Sequence, residues 1–155
     1  MIEVLMIIIM MITAWLGLSV LYMLIYSIVG LYYKEPLLEE EERLPSVAVL
    51  IPAYKEDAVI VGVAQEALVQ EYSGQFDVVV IADSLQEKTI GELKKLPIKL
   101  VEVDFEKSTK AKALNFAMKQ IGDEYDMAMI LDADNVMEKN VLRIIGTKFQ
   151  QGAKA

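Results

Sequence analysis

The sequence predicts an α/β fold in which a mostly parallel sheet with crossover helices follows one transmembrane helix. The transmembrane helix is predicted by thirty consecutive residues, 4–33, that carry no charge. The sheet is predicted from Ser46 onward, where short runs rich in β-branched residues alternate with segments of helical period. Those short runs are almost continuously apolar, which is typical of parallel strands covered on both faces.

The first element is the predicted transmembrane helix, residues 1–33. At about 1.5 Å per residue, an uncharged helix of this length exceeds the roughly 30 Å of a hydrocarbon core. A cleaved signal peptide would show basic residues before a shorter apolar core and a small-residue cleavage site after it, and none of these is present. A buried core helix of this length, apolar on every face, would be unusual. Tyr32 and Tyr33 beside Lys34 fit an interfacial belt.

Residues 34–45 are predicted to form an acidic linker, whose glutamate run at 39–42 is typical of a solvated spacer. No Lys or Arg precedes the helix, whereas Lys34 and Arg43 follow it. The positive-inside rule then favours a cytoplasmic remainder. We therefore expect a single-pass membrane protein with a cytoplasmic domain over residues 46–155.

Within that domain the apolar runs predict four central strands, at residues 47–51, 76–81, 98–103 and 127–131. Apolar stripes at helical spacing predict helices over residues 60–68, 114–121 and 139–149, and a weaker pattern predicts one over 89–96. Ligands of open α/β sheets bind outside the carboxyl ends of the strands. The candidate functional residues are therefore those that follow each strand.

The charge of the chain restricts its partners. The net charge is −8, and because Glu3 is the only charged residue among the first 33, the remainder carries −7. Such a surface is unsuited to nucleic acid or anionic lipid. An acidic protein without histidine that meets a diphosphate needs a divalent cation between the like charges. The absence of cysteine is compatible with any redox compartment.

The fourth predicted strand is followed directly by Asp132-Ala133-Asp134-Asn135. On extended chain, alternate residues point the same way, so both carboxylates are expected to face one site. Carboxylate oxygens suit Mg²⁺ or Mn²⁺. The alternative is a polar turn that ends the strand, because Asp and Asn are common turn residues.

Three further segments carry polar residues at predicted strand ends or helix starts. Tyr54, in Pro52-Ala53-Tyr54-Lys55-Glu56-Asp57, could lie against a planar base and Glu56 could accept hydrogen bonds; alternatively this is a βα turn with Asp57 as the helix N-cap. Asp83 follows the second strand. Lys110 and Lys112 begin a predicted helix, where they either meet a diphosphate or are solvated.

The four segments, PAYKE, ADS, KAKALN and DADN, resemble in order and context the motifs of the family 2 glycosyltransferases of the GT-A fold. The usual forms in that family are P-x-Y-N-E, D-D or A-D-N/S, K-A-x-A-L-N and D-x-D. The resemblance extends over residues 46–149, and it implies metal-dependent, inverting transfer from a nucleotide sugar to a glycan or lipid-linked acceptor, as in polysaccharide biosynthesis.

The same resemblance implies roles for individual residues. The nucleoside pocket would be lined by Pro52, Ala53, Tyr54 and Glu56. Asp83 would hydrogen-bond the base, commonly uracil, which implies a UDP-sugar donor. Lys110 or Lys112 would approach that donor. Asp132 would lie near the ribose, and Asp134 with Asp132 would form the site for Mn²⁺ or Mg²⁺.

The sequence departs from the family pattern in three places. Lys55 replaces the usual Asn, and Ser84-Leu85-Gln86 does not follow a D-G-S form. A later Asp that would serve as general base, and the Q-x-x-R-W motif of processive members, are not found before Ala155. We therefore expect an incomplete GT-A domain, a donor-binding half that binds the donor without transferring the sugar.

An alternative of another class is a membrane-tethered nucleotide-binding or receiver-like regulatory module, since receivers also place Asp residues at strand ends. A receiver would show acidic residues at the end of its first strand, where this chain has Pro52-Ala53-Tyr54. A Rossmann dehydrogenase is disfavoured because G-x-G-x-x-G does not follow the first strand.

Overall fold

Residues 1–32 and 43–151 are described by the computed structural model of the chain. They belong to two units, Met1–Leu37 and Leu38–Ala155, each of which is described by itself. Most of the predicted acidic linker, together with Tyr33 and Lys34, lies outside the described residues.

The first unit contains helix α1, Ile2–Tyr32, and none of the residues of this helix is buried. The hydroxyl groups of Thr13 and Ser19 donate to the carbonyl oxygens of Ile9 and Trp15, at 2.8 and 2.9 Å. These polar groups are therefore satisfied within the helix, as a hydrocarbon environment would require. By length and composition α1 could cross a membrane, and a signal sequence near an N-terminus would meet the same description.

The second unit alternates strands and helices, as the sequence predicts. Its elements are β1 Val47–Tyr54, α2 Ile60–Ala67, β2 Phe76–Asp83, α3 Glu87–Leu93, β3 Lys99–Val103, α4 Lys110–Ile121, β4 Met127–Ile130 and α5 Val141–Gln150. The strands form one parallel sheet in the order β3-β2-β1-β4. The predicted α/β class is confirmed.

Alternate side chains of each strand point to opposite faces of the sheet. Helices cover both faces, so side chains on both are buried. On one face, Val49 and Ile51 of β1 pack in a cluster with Ile60 of α2, Leu93 of α3 and Leu142 of α5. On the other face, Ala48 and Leu50 of β1 pack with Ala113 and Ala117 of α4. This double burial explains why β1 reads as a continuous apolar run.

The first two strands are longer than predicted, because β1 and β2 stay paired as far as Tyr54 and Asp83. Pro52 therefore lies inside a strand. On the side of β1 opposite to β2, β1 is paired with β4 only as far as Leu50. The Leu50 carbonyl accepts the Leu131 N–H at 2.9 Å. The backbone of Pro52 faces this same side, beyond the last pair, so its missing N–H costs no ladder hydrogen bond.

The alternative prediction of Asp57 as N-cap of the following helix is wrong. Helix α2 starts at Ile60, and its N-cap residue Val59 makes no side-chain capping bond. The Asp57 carboxylate instead accepts the Gln86 N–H, at 2.8 Å, just before α3. Hydrogen bonds from Thr89 and from the Gln86 backbone lower the pKa of Asp57. Asp57 thus connects the loop after β1 to the loop after β2.

Candidate functional site

The sheet has a topological switch point between β1 and β4. From β1 the chain proceeds through β2 to β3 on one side, and β4 then pairs with the opposite side of β1. Crevices at such points are the usual ligand sites of open α/β sheets. Because β1 separates from β4 after Leu50 yet remains paired with β2 as far as Tyr54, a crevice opens beside the end of β1.

A cavity of about 380 Å³ lies in this crevice, within the size range of small-molecule sites. Eight of the predicted site residues line it: Pro52, Ala53, Tyr54, Glu56, Asp83, Lys110, Asp132 and Asp134. They come from four separate segments of the chain. Ser108, Ala113 and Ala133 complete the wall, and sequence reasoning assigned no role to these three.

Lys112 is the predicted site residue that the structure places elsewhere. Its ammonium donates to the Lys107 carbonyl at 3.1 Å, and its side chain lines a different depression, with Phe105 and Glu106. Lys112 lies two positions after Lys110, and at about 100° per residue this turns the second lysine about 200° around the helix axis. Of the two lysines that the sequence leaves open, Lys110 is the one at the cavity.

The segment after β4 is a turn and not extended chain. The Asn135 N–H donates to the Asp132 carbonyl at 3.0 Å, which closes the turn. The expectation that alternation along extended chain brings the carboxylates together is therefore wrong, because the strand ends at Ile130. Asp132 and Asp134 nevertheless line the same cavity.

Lys110 and Asp132 form an ion pair across the cavity wall. Their side chains are 53% and 50% exposed, so both groups remain accessible to a ligand. Lys110 is the first residue of α4, and the preceding Thr109 caps that helix by accepting the Lys112 N–H at 3.2 Å. The ammonium thus lies at a helix N-terminus, where anions are also favoured by the helix dipole.

Asp83 is only 2% exposed, and its carboxylate is already hydrogen-bonded within the protein. One oxygen accepts the Ser84 hydroxyl at 3.0 Å, and the other accepts the Ser108 hydroxyl. The bond to Ser108 connects the end of β2 to the chain just before α4. A Ser-Thr pair before a helical segment is an N-capping signal, and it could have directed attention to Ser108.

Two residues at this edge have a left-handed backbone conformation, Lys55 with φ 58° and Ser84 with φ 55°. These are the positions at which the sequence departs from P-x-Y-N-E and D-G-S. Asn and Gly tolerate positive φ better than Lys and Ser. The Lys55 N–H donates to the Asp83 carbonyl at 3.1 Å, and its ammonium lies 5.0 Å from the centre of the half-exposed Tyr54 ring.

The acidic residues of the cavity fit a divalent cation that arrives with a phosphorylated ligand. Among residues 1–32 and 43–151, no group of three or more His, Cys, Asp or Glu side chains is placed to hold a metal. Mg²⁺ sites commonly use one or two carboxylates and complete their coordination with substrate phosphates and water. Asp132 and Asp134 match that pattern, whereas a site formed by protein ligands alone would need more of them.

Comparison with known proteins identifies the second unit. The family model described as glycosyltransferase like family 2 matches residues 45–155. The mannosyltransferase PcManGT of Pyrobaculum calidifontis, solved with GDP-Man and Mn²⁺, is 22% identical over 85% of this chain, with a TM-score of 0.60. S. aureus TarS 1–349, solved with UDP-GlcNAc, is 22% identical over 68% of this chain, with a TM-score of 0.56. No curated protein matches the chain.

At this identity the structural likeness establishes a GT-A-like fold. The match spans 40% of the PcManGT chain and 31% of the TarS chain. The family model, in contrast, covers well over half of the present chain, and the four motif segments all lie within it. The chain therefore belongs to glycosyltransferase-like family 2.

Proposed function

We propose that this chain binds a nucleotide sugar, specifically a UDP-sugar, in the crevice between β1 and β4, together with Mn²⁺ or Mg²⁺. The observation that carries the proposal is the convergence of eight residues from four separate segments on one cavity. Family membership supports it. The complexes of PcManGT with GDP-Man and Mn²⁺, and of TarS with UDP-GlcNAc, support the same ligand class.

The nucleoside would lie against the end of β1. The Tyr54 ring is 52% exposed and offers a planar apolar surface to a base. The exposed Glu56 carboxylate, which lines the same cavity, can accept hydrogen bonds from ribose hydroxyls. Pro52 and Ala53 form the adjacent wall. Asp83, with both oxygens engaged, would contact a uracil N–H only through a remaining lone pair.

The diphosphate would lie between α4 and the turn after β4. Lys110 supplies a positive charge at the start of α4, where anions are also favoured by the helix N-terminus. Asp132 and Asp134 would hold the cation, which when bound supplies Lewis-acid stabilisation of the departing nucleoside diphosphate. The net charge of −8 makes such neutralisation necessary.

The complete reaction that we propose is inverting transfer of the sugar to a glycan or lipid-linked acceptor. Inversion requires a base that takes the acceptor proton during attack. In the family pattern this base follows the D-x-D segment.

We further propose that residues 1–33 anchor the protein in a membrane, that residues 34–45 link this anchor to the domain, and that residues 46–155 lie on the cytoplasmic side. Because the chain has no native cysteine, one introduced at the exposed Asp123 would be unique. A membrane-impermeant thiol reagent should label Asp123→Cys in inverted vesicles but not in intact cells. Labelling in intact cells would overturn the orientation.

The donor proposal is tested by titrating UDP into the full chain in detergent micelles, with Mn²⁺ or with chelator. We expect binding that requires the metal, and at least about tenfold weaker binding in Asp134→Ala, because a charged ligand contributes more than about 1.4 kcal/mol. Asp123→Ala removes an equal charge from an exposed loop and should bind as the wild type does.

Two results would contradict this proposal. UDP binding of equal strength in chelator would show that Asp134 does not act through a metal. Labelling of Asp83 by a small phosphoryl donor would favour the receiver-like alternative, although its burial and its two hydroxyl partners oppose that chemistry.

A further inference from the structure

The ion pair between Lys110 and Asp132 joins the group expected to meet the diphosphate to a group expected to meet the cation. We propose that Lys110 is a built-in counter-ion, which neutralises Asp132 in the ligand-free protein and moves to the diphosphate when the cation replaces it. Lys110 would then keep free divalent cations at low occupancy until a nucleotide arrives. This inference rests on the proposed function of the cavity.

The charges of the cavity explain why a counter-ion is needed. Asp132 and Asp134 are separated by one residue in a tight turn, and both carboxylates line one cavity of an acidic protein. Like charges that face one cavity repel each other and disfavour the arrangement that brings them together. A lysine ammonium against Asp132 offsets that repulsion, but it contacts one carboxylate oxygen, Oδ1, and so competes with a metal ion for the same carboxylate.

The ammonium of Lys110 can move from the Asp132 carboxylate to a bound diphosphate without any movement of the backbone. Thr109 caps the helix, and Ser108 donates to the buried Asp83, so the start of α4 is fixed on the sheet. The side chain beyond it is 53% exposed and has a flexible four-carbon stem. An ion pair this exposed is weak enough to be displaced by a doubly charged ion with phosphate ligands.

Lys112 provides a matched control. It carries the same charge, lies two residues further along the same helix, and donates to the Lys107 carbonyl outside the cavity. Replacing either lysine changes the net charge equally. A specific role of Lys110 should therefore separate the two variants, whereas a general effect of charge should not.

The test is a titration of Mn²⁺ alone into the full chain in detergent micelles, with free Mn²⁺ read by electron paramagnetic resonance. We expect Lys110→Met and Lys110→Gln to bind Mn²⁺ about three- to tenfold more tightly than the wild type, since both a competing ion and a repulsive charge are lost. Lys112→Met should match the wild type. In saturating Mn²⁺, the Lys110 variants should bind UDP about tenfold more weakly, because they lack a charged partner for the diphosphate.

The opposite signs of these two effects distinguish a counter-ion from a residue that only supports the site. Unchanged or weaker Mn²⁺ binding in both Lys110 variants would overturn the inference, and so would equal tightening in Lys112→Met. If UDP binds to none of the proteins while the Lys110 variants still bind Mn²⁺ more tightly, the donor proposal fails and the competition between Lys110 and the metal stands.

Discussion

The two ends of the parallel sheet treat their charged residues differently. At the amino end, the Lys99 ammonium lies 2.6 Å from the Tyr125 hydroxyl, 3.4 Å from Asp77 and 3.3 Å from Glu124. Tyr125 also donates to Asp77 at 2.5 Å. At the carboxyl end, Asp132 has Lys110 as a half-exposed partner, and the cavity keeps both accessible. The contacts of Lys99 join the start of β3 to the start of β2 and to the segment before β4, whereas the half-exposed pair of Lys110 and Asp132 remains accessible to a ligand.

Backbone strain follows the same division. The non-glycine residues with positive φ in the described ranges, Lys55 and Ser84, both lie at the carboxyl end. At the amino end, the starts of β1 and β4 are joined by hydrogen bonds and have no positive φ: Asp126 accepts the Ser46 N–H and hydroxyl at 2.8 and 2.9 Å. Residues in strained conformations concentrate at functional sites, and these two directly follow Tyr54 and Asp83, which line the proposed donor crevice.

The largest effect is expected from removing a carboxylate charge at the carboxyl end of the sheet, Asp132, and it is compared with the same change at the amino end, Asp77. Asp132→Asn should weaken Mn²⁺-dependent UDP binding by about 10- to 100-fold, since it removes a charged partner contributing about 1.5–3 kcal/mol. Asp77→Asn makes the same charge change at the amino end and should leave UDP binding unchanged while lowering the midpoint of urea unfolding. Titration calorimetry and far-UV circular dichroism measure the two quantities. Equal losses of UDP binding would show that the ends are not functionally distinct.

A smaller effect is expected when the cluster at the amino end, formed by Lys99, Asp77, Glu124 and Tyr125, loses the Tyr125 hydroxyl. Tyr125→Phe keeps the ring over which Lys99 lies, at 5.0 Å, but removes the hydrogen bonds to Asp77 and Lys99. We expect the free energy of unfolding to fall by about 1 kcal/mol, with no change in nucleotide binding. If stability is unchanged, the cluster is only a set of solvated surface charges.

The acid sensitivity of the amino end can be isolated at Asp126. The backbone N–H of Ser46, its hydroxyl and the charge of Arg43 hold the pKa of Asp126 below its ordinary value of 3.8. Because the folded pKa is lowered, the carboxylate stabilises the fold fully above that ordinary value and loses this effect as pH falls through the folded value. The stability difference between wild type and Asp126→Asn should therefore be largest near neutral pH and shrink below pH 3.8. A difference independent of pH would contradict this.

The fold was predictable from the sequence because both faces of the sheet are buried. Double burial makes each central strand a continuous apolar run, and the runs in β1 and β2 are therefore unambiguous. Their ends were not predictable, because the extra pairing from Pro52 to Tyr54 depends on the position of β2. The turn at Asp132 was only the alternative expectation for a related reason, since the sequence does not show that β4 pairs with β1 only as far as Ile130.

The candidate site was predictable as a set of positions but not as a set of contacts. Strand ends meet at one edge by topology alone, so the cavity could be anticipated from Pro52, Asp83 and Asp132. Sequence could not show that Asp83 is buried and bonded to Ser108, or that Lys110 pairs with Asp132. Those contacts depend on where α4 lies over the sheet, and local sequence does not specify that position.

The smallest effect is expected at Lys55, where the strain of the carboxyl end can be relieved. Its φ of 58° disfavours a lysine, and a residue in this region costs about 1–2 kcal/mol unless it is Gly or, in part, Asn. Lys55→Asn should raise the free energy of unfolding by about 0.5–1 kcal/mol, after loss of a cation–π contact that contributes about 0.5 kcal/mol. Urea unfolding followed by circular dichroism measures the change.

Lys55→Ala separates backbone strain from the loss of the lysine side chain. Alanine removes the ammonium over Tyr54 but keeps a Cβ in the strained conformation, so it should be no more stable than the wild type. If alanine stabilised the protein as much as asparagine does, the charge of Lys55, and not its φ, would be what lowers the free energy of unfolding of the wild type. The carboxyl end would then be distinguished from the amino end by its exposed charges alone, and positive φ at Lys55 and Ser84 would no longer mark the donor crevice.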